Sequence, residues 1–442
     1  MKLSTLIICL LLTVNGVAQH QFSDLKSCLA YAYEHRKELQ IAQLNQSTST
    51  EKIKLAHAAL LPQINAFATL DNNVQLPVQL VPAEFVGGQA GEFAEIQFGT
   101  QYNFASGVEA TLSLWNPALW NKLKKSHLEE EKATLALQDQ KLKIAEQIAR
   151  KYYYSLLTQE LIRLNEQNQS NNDTLYQTAQ AQYEAGTIEL LELNRVQSLW
   201  LTGQTNLTQA LASHQLQLDQ LKLAMGISIT EELALPPLRT FIIEAEPSTN
   251  LSFETTAYPQ YKQNQLDNEL ASLELKDQKQ ARLPKLSAYA RYTAQAQRNE
   301  FNFLDFEEPW FGIGLVGMRV DVPIFTGFSR KSSIQIASIQ QELSQQQADL
   351  FLQQQLQQDQ ALLRDYQTAK TQLEYTKSIY TLAKSNYELA QYKYQHGVFS
   401  IEQVITLHNE RLTAQNQYLT QLGNYLIYRG IIEVKNQILE DQ

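Results

Sequence analysis

The sequence predicts a mainly α-helical chain with a small β part, in which a helix, a pair of strands and a pair of long helices occur twice. Three observations carry this prediction. Short motifs recur in the same order in both halves, one stretch of 68 residues has neither proline nor glycine, and several segments alternate apolar and polar residues. Only 16 of the 442 residues are Gly and 11 are Pro, a composition that permits long uninterrupted helices.

The duplication is visible in three pairs of motifs that occur in the same order. They are LPQINAFA (61–68) with LPKLSAYA (283–290), YEAG (183–186) with YQHG (394–397), and, more loosely, LSLWNPALW (112–120) with VPIFTGFSR (322–330). One such match could arise by chance, whereas three in order indicate a tandem duplication.

The repeats and the prolines divide the chain into four parts. We expect a signal peptide at 1–18, a first repeat at 19–225, a linker at 226–252 with three prolines, and a second repeat at 253–442. The first repeat should hold strands at about 62–78 and 94–115 and long helices at about 118–185 and 188–225. The second should hold strands at about 284–296 and 310–323 and long helices at about 328–395 and 399–438.

The first residues have the pattern of a secretory signal peptide. Lys2 precedes a short apolar run from Leu6 to Val14, and the small residues Gly16 and Ala18 mark a cleavage site. Removal of this segment leaves Cys28 as the only cysteine, so an intrachain disulfide cannot form. Export without a disulfide framework suits a large bacterial envelope protein.

The first long helix should begin a coiled coil. Its 68 residues, 118–185, would extend about 100 Å at 1.5 Å per residue. The residues at heptad spacing are Leu128, Leu135, Leu142, Ala149 and Leu156. The shorter helix that opens the first repeat, at roughly 22–60, has Ser23 or Asp24 as a candidate N-cap and Pro62 after its end.

The strand predicted at 310–323 has one apolar and one charged face. Val316, Met318, Val320 and Val322 share the first face, and Gly317, Arg319 and Asp321 share the second. This alternation is typical of a strand with lipid on one side and water on the other, so we expect Arg319 and Asp321 to face a lumen. A soluble sandwich with one buried face is the alternative.

Four strands per chain cannot close a barrel by themselves, and an open sheet edge is not tolerated in lipid. Two chains would give eight strands around a lumen filled by side chains, and three would give twelve with room for water. The charges on the inward face favour three chains.

The duplicated plan resembles the TolC family of outer-membrane efflux proteins over essentially the whole mature chain. The motifs that carry the resemblance are LPQI and LPKL at the strand starts, YEAG and YQHG between the long helices, and the loop LPVQLVPAEFVGG (76–88), which is similar to loops in members from Bacteroidetes. Their ordered duplication is more specific than any one of them.

The resemblance implies a homotrimer with a shared 12-stranded barrel in the lipid of the outer membrane and a coiled-coil tunnel of α-helices in the periplasm. It would be the passive exit duct of a tripartite efflux pump or of type I secretion, working with a periplasmic adaptor protein and an inner-membrane transporter. The periplasmic tip, where the adaptor docks, would lie at the two helix turns marked by Tyr183, Gly186, Tyr394 and Gly397.

The family's tip often carries acidic rings that constrict the pore. Glu192 lies six residues past Gly186, where an acid is expected, but the equivalent position of the second repeat is Gln403. Glu402 is one residue away. We hypothesise that Glu192 and Glu402, beside Gln403, form a negative constriction that attracts cations.

No motif in the sequence indicates an enzyme, a metal site or a cofactor. Gly312, Gly314 and Gly317 spell G-x-G-x-x-G, but an alternating strand continues past them where a dinucleotide site needs a helix. The seven histidines occur singly, and a net charge of −10 argues against nucleic-acid binding. The alternative to a duct is a soluble, secreted coiled-coil scaffold without a pore.

Overall fold

The computed structural model describes residues 19–238, 253–305 and 307–440. The predicted signal peptide and most of the predicted linker, 239–252, lie outside the described residues. The chain divides into two compact units. A helical unit contains residues up to 45, 133–263 and from 348 onward, and a sheet unit contains 46–132 and 264–347.

The chain is mainly helical with a small β part, as predicted. The helices are α1 (Leu25–His35), α2 (Lys37–Ala58), α3 (Pro117–Glu184), α4 (Leu190–Met225), α5 (Pro259–Gln280), α6 (Ser329–Gln395) and α7 (Ile401–Glu440). The strands are β1 (Gln19–Gln21), β2 (Gln63–Asn72), β3 (Val78–Pro82), β4 (Phe93–Gln97), β5 (Tyr102–Trp115), β6 (Glu232–Ala234), β7 (Lys285–Arg298) and β8 (Phe311–Asp321).

The first helical stretch begins at a capping box and is interrupted. The Asp24 carboxylate accepts a hydrogen bond from the Ser27 backbone N–H at 2.8 Å, and the Ser27 hydroxyl accepts one from the Asp24 N–H. The prediction of one helix over 22–60 is wrong, because Arg36 is extended and separates α1 from α2. Its guanidinium donates to the Ala224 carbonyl at the end of α4, a tertiary contact that periodicity does not reveal.

The sheet unit is built on an antiparallel sheet in the order β2-β5-β7-β8. Each repeat therefore contributes two neighbouring strands, and β2 and β8 form its two edges. Neither edge strand has a second partner strand within the described chain.

The strand predicted at 94–115 is two strands. Residues 98–101 form a turn in which Gly99 has a φ of 105°, and the Asn73 N–H donates to the Gln101 carbonyl at 2.7 Å. The first part, β4, pairs with β3 in a separate hairpin, and only β5 enters the main sheet. The strand predicted at 62–78 accordingly ends at Asn72, before Pro77. Glycine makes this break because it adopts a positive φ without a steric cost.

The helical unit is held by an apolar core between α1, α3, α4 and α7. Tyr152 and Leu156 of α3 and Leu221 of α4 are fully buried in it. A Cβ added to Gly430 of α7 would lie 2.2 Å from the Tyr153 ring, so the glycine allows α7 to approach α3 closely. No helix among the described residues is long and apolar enough to cross a bilayer.

A buried ion pair joins the long helices within this unit. The Lys435 ammonium of α7 lies 3.2 Å from the Asp359 carboxylate of α6 and 3.4 Å from Glu146 of α3. The Tyr258 hydroxyl, just before α5, donates to the same oxygen of Asp359 at 2.8 Å. Lys435 and Asp359 are both almost completely removed from solvent, so each charge depends on the other for compensation.

We expect Asp359→Leu to lower the free energy of unfolding by about 3 kcal/mol, because Lys435 then stays buried with Glu146 as its one remaining carboxylate partner among the described residues. The double variant Asp359→Leu/Lys435→Met should recover most of the loss, since an apolar pair replaces the ion pair. Urea unfolding of the detergent-solubilised protein, followed by circular dichroism, compares the two. A single variant as stable as the double variant would contradict this account of the pair.

Candidate functional site: the two-faced sheet and the helix-hairpin tip

The register of the sheet aligns one apolar face across all four strands. Because partners in an antiparallel pair lie on the same face, the row Ile64, Ala110, Ala290 and Val316 is one line of neighbours. The predicted grouping of Val316, Met318 and Val320 on one face of β8 is confirmed. Val316 is 84% exposed and Met318 is 73% exposed in the single chain, which is unusual for a contiguous apolar surface in water.

The opposite face carries the charges. The Glu109 carboxylate accepts from the Arg291 guanidinium at 2.8 Å, and Arg291 lies over the Phe67 ring at 5.5 Å. Arg319 and Asp321, predicted for the lumen, lie on this face, are exposed and pair with each other at 3.0 Å. The first half of β8 also places Phe311, Ile313 and Leu315 here, so this face mixes charged and apolar residues.

The three glycines of the G-x-G-x-x-G segment belong to β8, and two of them, Gly312 and Gly317, make room for tyrosine side chains of β7. A Cβ on Gly317 would lie 2.7 Å from the Tyr289 ring, and one on Gly312 would lie 2.9 Å from the Tyr292 hydroxyl. The segment is strand from Phe311 to Asp321, and no helix opens on the glycines. The geometry is therefore that of a packed sheet wall and lacks the turn of a dinucleotide site.

The length of the strands suits a membrane. The 14 residues of β5 extend about 48 Å at 3.4 Å per residue, and a tilt of about 40° leaves roughly 36 Å of height. This exceeds the apolar band of about 25 Å that outer-membrane barrels present. A bulge between Ser113 and Trp115 brings Trp115 opposite Leu286, on the apolar face at one end of the strand.

At the other end of the sheet, aromatic rings cluster around the β7–β8 loop. The Phe104 ring lies 5.5 Å from Phe303 and 5.6 Å from Trp310, and Tyr102 lies 5.7 Å from Phe301. Aromatic residues at both ends of an apolar strand face are typical of a protein that meets two membrane–water interfaces.

The two helix turns of the helical unit have the same geometry in both repeats. Gly186 has a φ of 73° and Gly397 a φ of 71°. The Gly186 N–H donates to the Tyr183 carbonyl and the Gly397 N–H to the Tyr394 carbonyl, each at 2.9 Å. Together with a second bond from the following residue, this is a Schellman cap, in which glycine supplies the left-handed conformation.

The two tyrosines of these turns differ in their surroundings. Tyr183 is exposed, whereas Tyr394 is buried and its hydroxyl donates to the Gln182 amide oxygen at 2.6 Å. The second hairpin is thereby bonded to the first. Burial raises the pKa of Tyr394, and the nearby Glu192 carboxylate adds to this, so the hydroxyl stays protonated as a donor.

The three residues predicted for the constriction occupy different local environments. Glu192 is half-buried near Tyr394, and Glu402 lies 3.2 Å from the Arg195 guanidinium of α4. The Gln403 amide oxygen accepts from the Ser400 N–H at 2.9 Å, which makes it the third residue of a capping box for α7. The pattern Ser-x-x-Gln could have indicated this role from the sequence, but the pairing of Arg195 with Glu402 could not.

A buried cation lies next to these hairpins. The Arg411 guanidinium stacks on the Tyr387 ring at 4.5 Å and donates to His408 Nδ1 at 3.3 Å. Burial, with a smaller contribution from Arg411, lowers the pKa of His408 to about 3, so the imidazole is neutral and able to accept this bond at neutral pH. Among the described residues, no cluster of His, Cys, Asp and Glu could hold a metal ion.

The fold is that of an outer-membrane channel. It is similar to the open state of the Neisseria gonorrhoeae MtrE channel, with a TM-score of 0.75 and 15% identity over 93% of this chain and 88% of that one. It is also similar to Vibrio cholerae VceC, with a TM-score of 0.72 and 15% identity over 93% and 96% of the two chains. For Campylobacter jejuni CmeC the TM-score is 0.73, with 13% identity over 93% and 86%. At these identities the similarity establishes the fold.

The family model described as "Outer membrane efflux protein" matches residues 29–227 and 259–429. The chain therefore belongs to the outer membrane efflux protein family. No curated protein sequence matches the chain. The family assignment confirms the predicted outer-membrane efflux duct and gives no support to the soluble scaffold.

Proposed function

We propose that three copies of this chain form a passive exit duct, with a shared 12-stranded barrel in the outer membrane and a tunnel of helices in the periplasm. The duct would serve a tripartite efflux pump or type I secretion. An inner-membrane transporter would supply the energy, and a periplasmic adaptor would dock at Tyr183, Gly186, Tyr394 and Gly397.

One observation carries the proposal: the sheet has two unpaired edges and an exposed apolar face. In lipid, every unpaired backbone N–H or C=O group of β2 and β8 would cost several kcal/mol unless another chain paired with it. Pairing β8 of one copy with β2 of the next satisfies both edges at once. Three copies give twelve strands, which leave a lumen for the charges of Arg319, Asp321 and the Glu109–Arg291 pair.

The long helices also present apolar residues that their own chain leaves uncovered. On α6, exposed residues occur at spacings of three, four and seven: Ile336, Ile339, Leu343 and Leu350, and further along Tyr375, Leu382 and Leu389. This is the spacing of a coiled-coil seam. On α4, Leu216 and Leu223 are exposed seven residues apart. These seams fit helices of neighbouring copies, in keeping with a closed ring of three chains.

We expect cysteines on the two edge strands to join different chains. In a Cys28→Ala background, Ala66→Cys on β2 would be combined in turn with Gly314→Cys, Val316→Cys or Met318→Cys on β8. Within one chain β2 and β8 are three strand spacings apart, about 14 Å, which is too far for a disulfide. For at least one of the three cysteine pairs, oxidation of outer-membrane fractions should therefore give covalent dimers and trimers on a non-reducing gel.

The matched control pairs Ala66→Cys with Ala290→Cys on β7, an inner strand whose two neighbours are in the same chain. This control should stay monomeric. Absence of cross-linking at all three β8 positions, or a ladder that continues beyond three chains, would overturn the proposed barrel.

A second test concerns the proposed constriction at the tip. Glu402→Gln removes a carboxylate and leaves Arg195 without its partner, so cation preference in single-channel recordings should fall sharply. The charge-matched double variant Arg195→Gln/Glu402→Gln should lose less of the cation preference. Glu192→Gln should lower the cation preference independently of the Arg195–Glu402 pair. Glu34→Gln/Glu374→Gln, which removes two exposed acids elsewhere, is the control. Unchanged selectivity in Glu192→Gln/Glu402→Gln would rule the constriction out.

A further inference from the structure

One end of the main sheet is surrounded by positive charge. The end of β5, the start of β7 and the end of β8 lie at the same end of the sheet, because Trp115 pairs with Leu286 and Lys285 pairs with Asp321. The segments that meet there, 116–125, 276–285 and 319–331, contain ten Lys or Arg and two Asp.

The two acids are already neutralised inside the structure. Asp277 lies 3.6 Å from the Lys125 ammonium, and Asp321 lies 3.0 Å from the Arg319 guanidinium. The other eight cations of the three segments have no carboxylate partner among the described residues. Lys122, Lys124 and Lys331 are exposed members of this group.

Large apolar side chains are exposed beside these cations. Trp120 precedes Lys124 by one helical turn on α3 and is 57% exposed. Phe328 is 75% exposed, and its ring contacts the equally exposed Phe325 at 5.9 Å. Phe328 has a φ of 65°, a strained backbone conformation for a residue with a side chain, and the Lys331 N–H donates to its carbonyl.

The opposite end of the sheet has the reverse charge. The connections 73–101 and 299–310 contain seven Asp or Glu and no Lys or Arg. The charge of the sheet unit is thus polarised along the strands: exposed rings occur at both ends, but the unpaired cations of these connecting segments lie at one end.

We propose that Trp120, Phe325, Phe328, Lys122, Lys124 and Lys331 form an inner-rim collar that binds anionic phospholipid headgroups of the phosphatidylglycerol class. The lipid belongs to the membrane leaflet nearest the helices. Aromatic rings prefer the membrane–water interface, and each cation near an anionic surface adds to the attraction. Two collars do not bind each other, since both carry the same positive charge.

The collar rests on the proposed function, because it needs the sheet to lie in a membrane. The full chain with Trp310→Phe, reconstituted in vesicles, keeps Trp115 and Trp120 as reporters next to the collar, with Trp200 on α4 as background. Quenching by brominated phosphatidylglycerol is then compared with quenching by brominated phosphatidylcholine. We expect phosphatidylglycerol to be favoured about fivefold or more at low salt, and less as salt screens the charges.

The decisive variant is Lys122→Gln/Lys124→Gln/Lys331→Gln, which should lose most of the preference. The matched control, Lys26→Gln/Arg364→Gln/Lys377→Gln, removes three exposed cations of the helical unit and should retain the preference for phosphatidylglycerol. The variant Lys122→Arg/Lys124→Arg/Lys331→Arg, which keeps the positive charge of the collar, should retain it as well. The collar is overturned if the protein with the unchanged collar shows no preference for phosphatidylglycerol, or if the preference survives in the collar variant. Neither result contradicts the proposed duct. If neither brominated lipid quenches the tryptophans, the sheet does not lie in the bilayer, and the proposed duct fails with it.

Discussion

The structure depends on one constraint, the backbone hydrogen bonds at the two open edges of a four-stranded sheet. The inner strands β5 and β7 have a partner strand on each side, but the outer sides of the edge strands β2 and β8 have no partner strand in the described chain. Water could satisfy those groups, yet the neighbouring apolar face argues against water. Lipid suits that face and makes unpaired edges costly, and the proposed pairing with further copies would meet both demands.

The two predicted repeats contribute equally to this arrangement but differ in their contacts at the helix hairpins. Both repeats contribute two strands to the sheet, and both end their first long helix in the same Schellman cap at Gly186 or Gly397. At the hairpins, however, Tyr394 is buried and bonds the first hairpin, whereas its counterpart Tyr183 is exposed. Glu192 has an amide, Gln403, as its counterpart, and that amide caps α7. A common scaffold thus carries chemically different contacts at the tip.

Features set by local chemistry could be predicted from the sequence. The Asp24 cap, the alternation around Val316 and the motifs that mark the repeats follow from spacing and residue type. Features that depend on distant residues could not. Arg36 breaks a helix because the end of α4 lies beside it, Trp115 changes face through a bulge, and Lys435 is compensated by Asp359 from another helix. Likewise, alternation alone did not reveal the turn at 98–101, because β4 continues the apolar phase while pairing with β3.

The most direct test of the shared barrel is hydrogen exchange of the edge-strand amides in the assembled, membrane-embedded protein, resolved to single residues. On an edge strand, alternate amides point away from the sheet and have no acceptor within one chain. If β2 pairs with β8 of the next copy, those outward amides should exchange as slowly as the amides of β5 and β7. Outward amides of β2 and β8 that exchange as fast as those of the connection 73–101 would contradict the account.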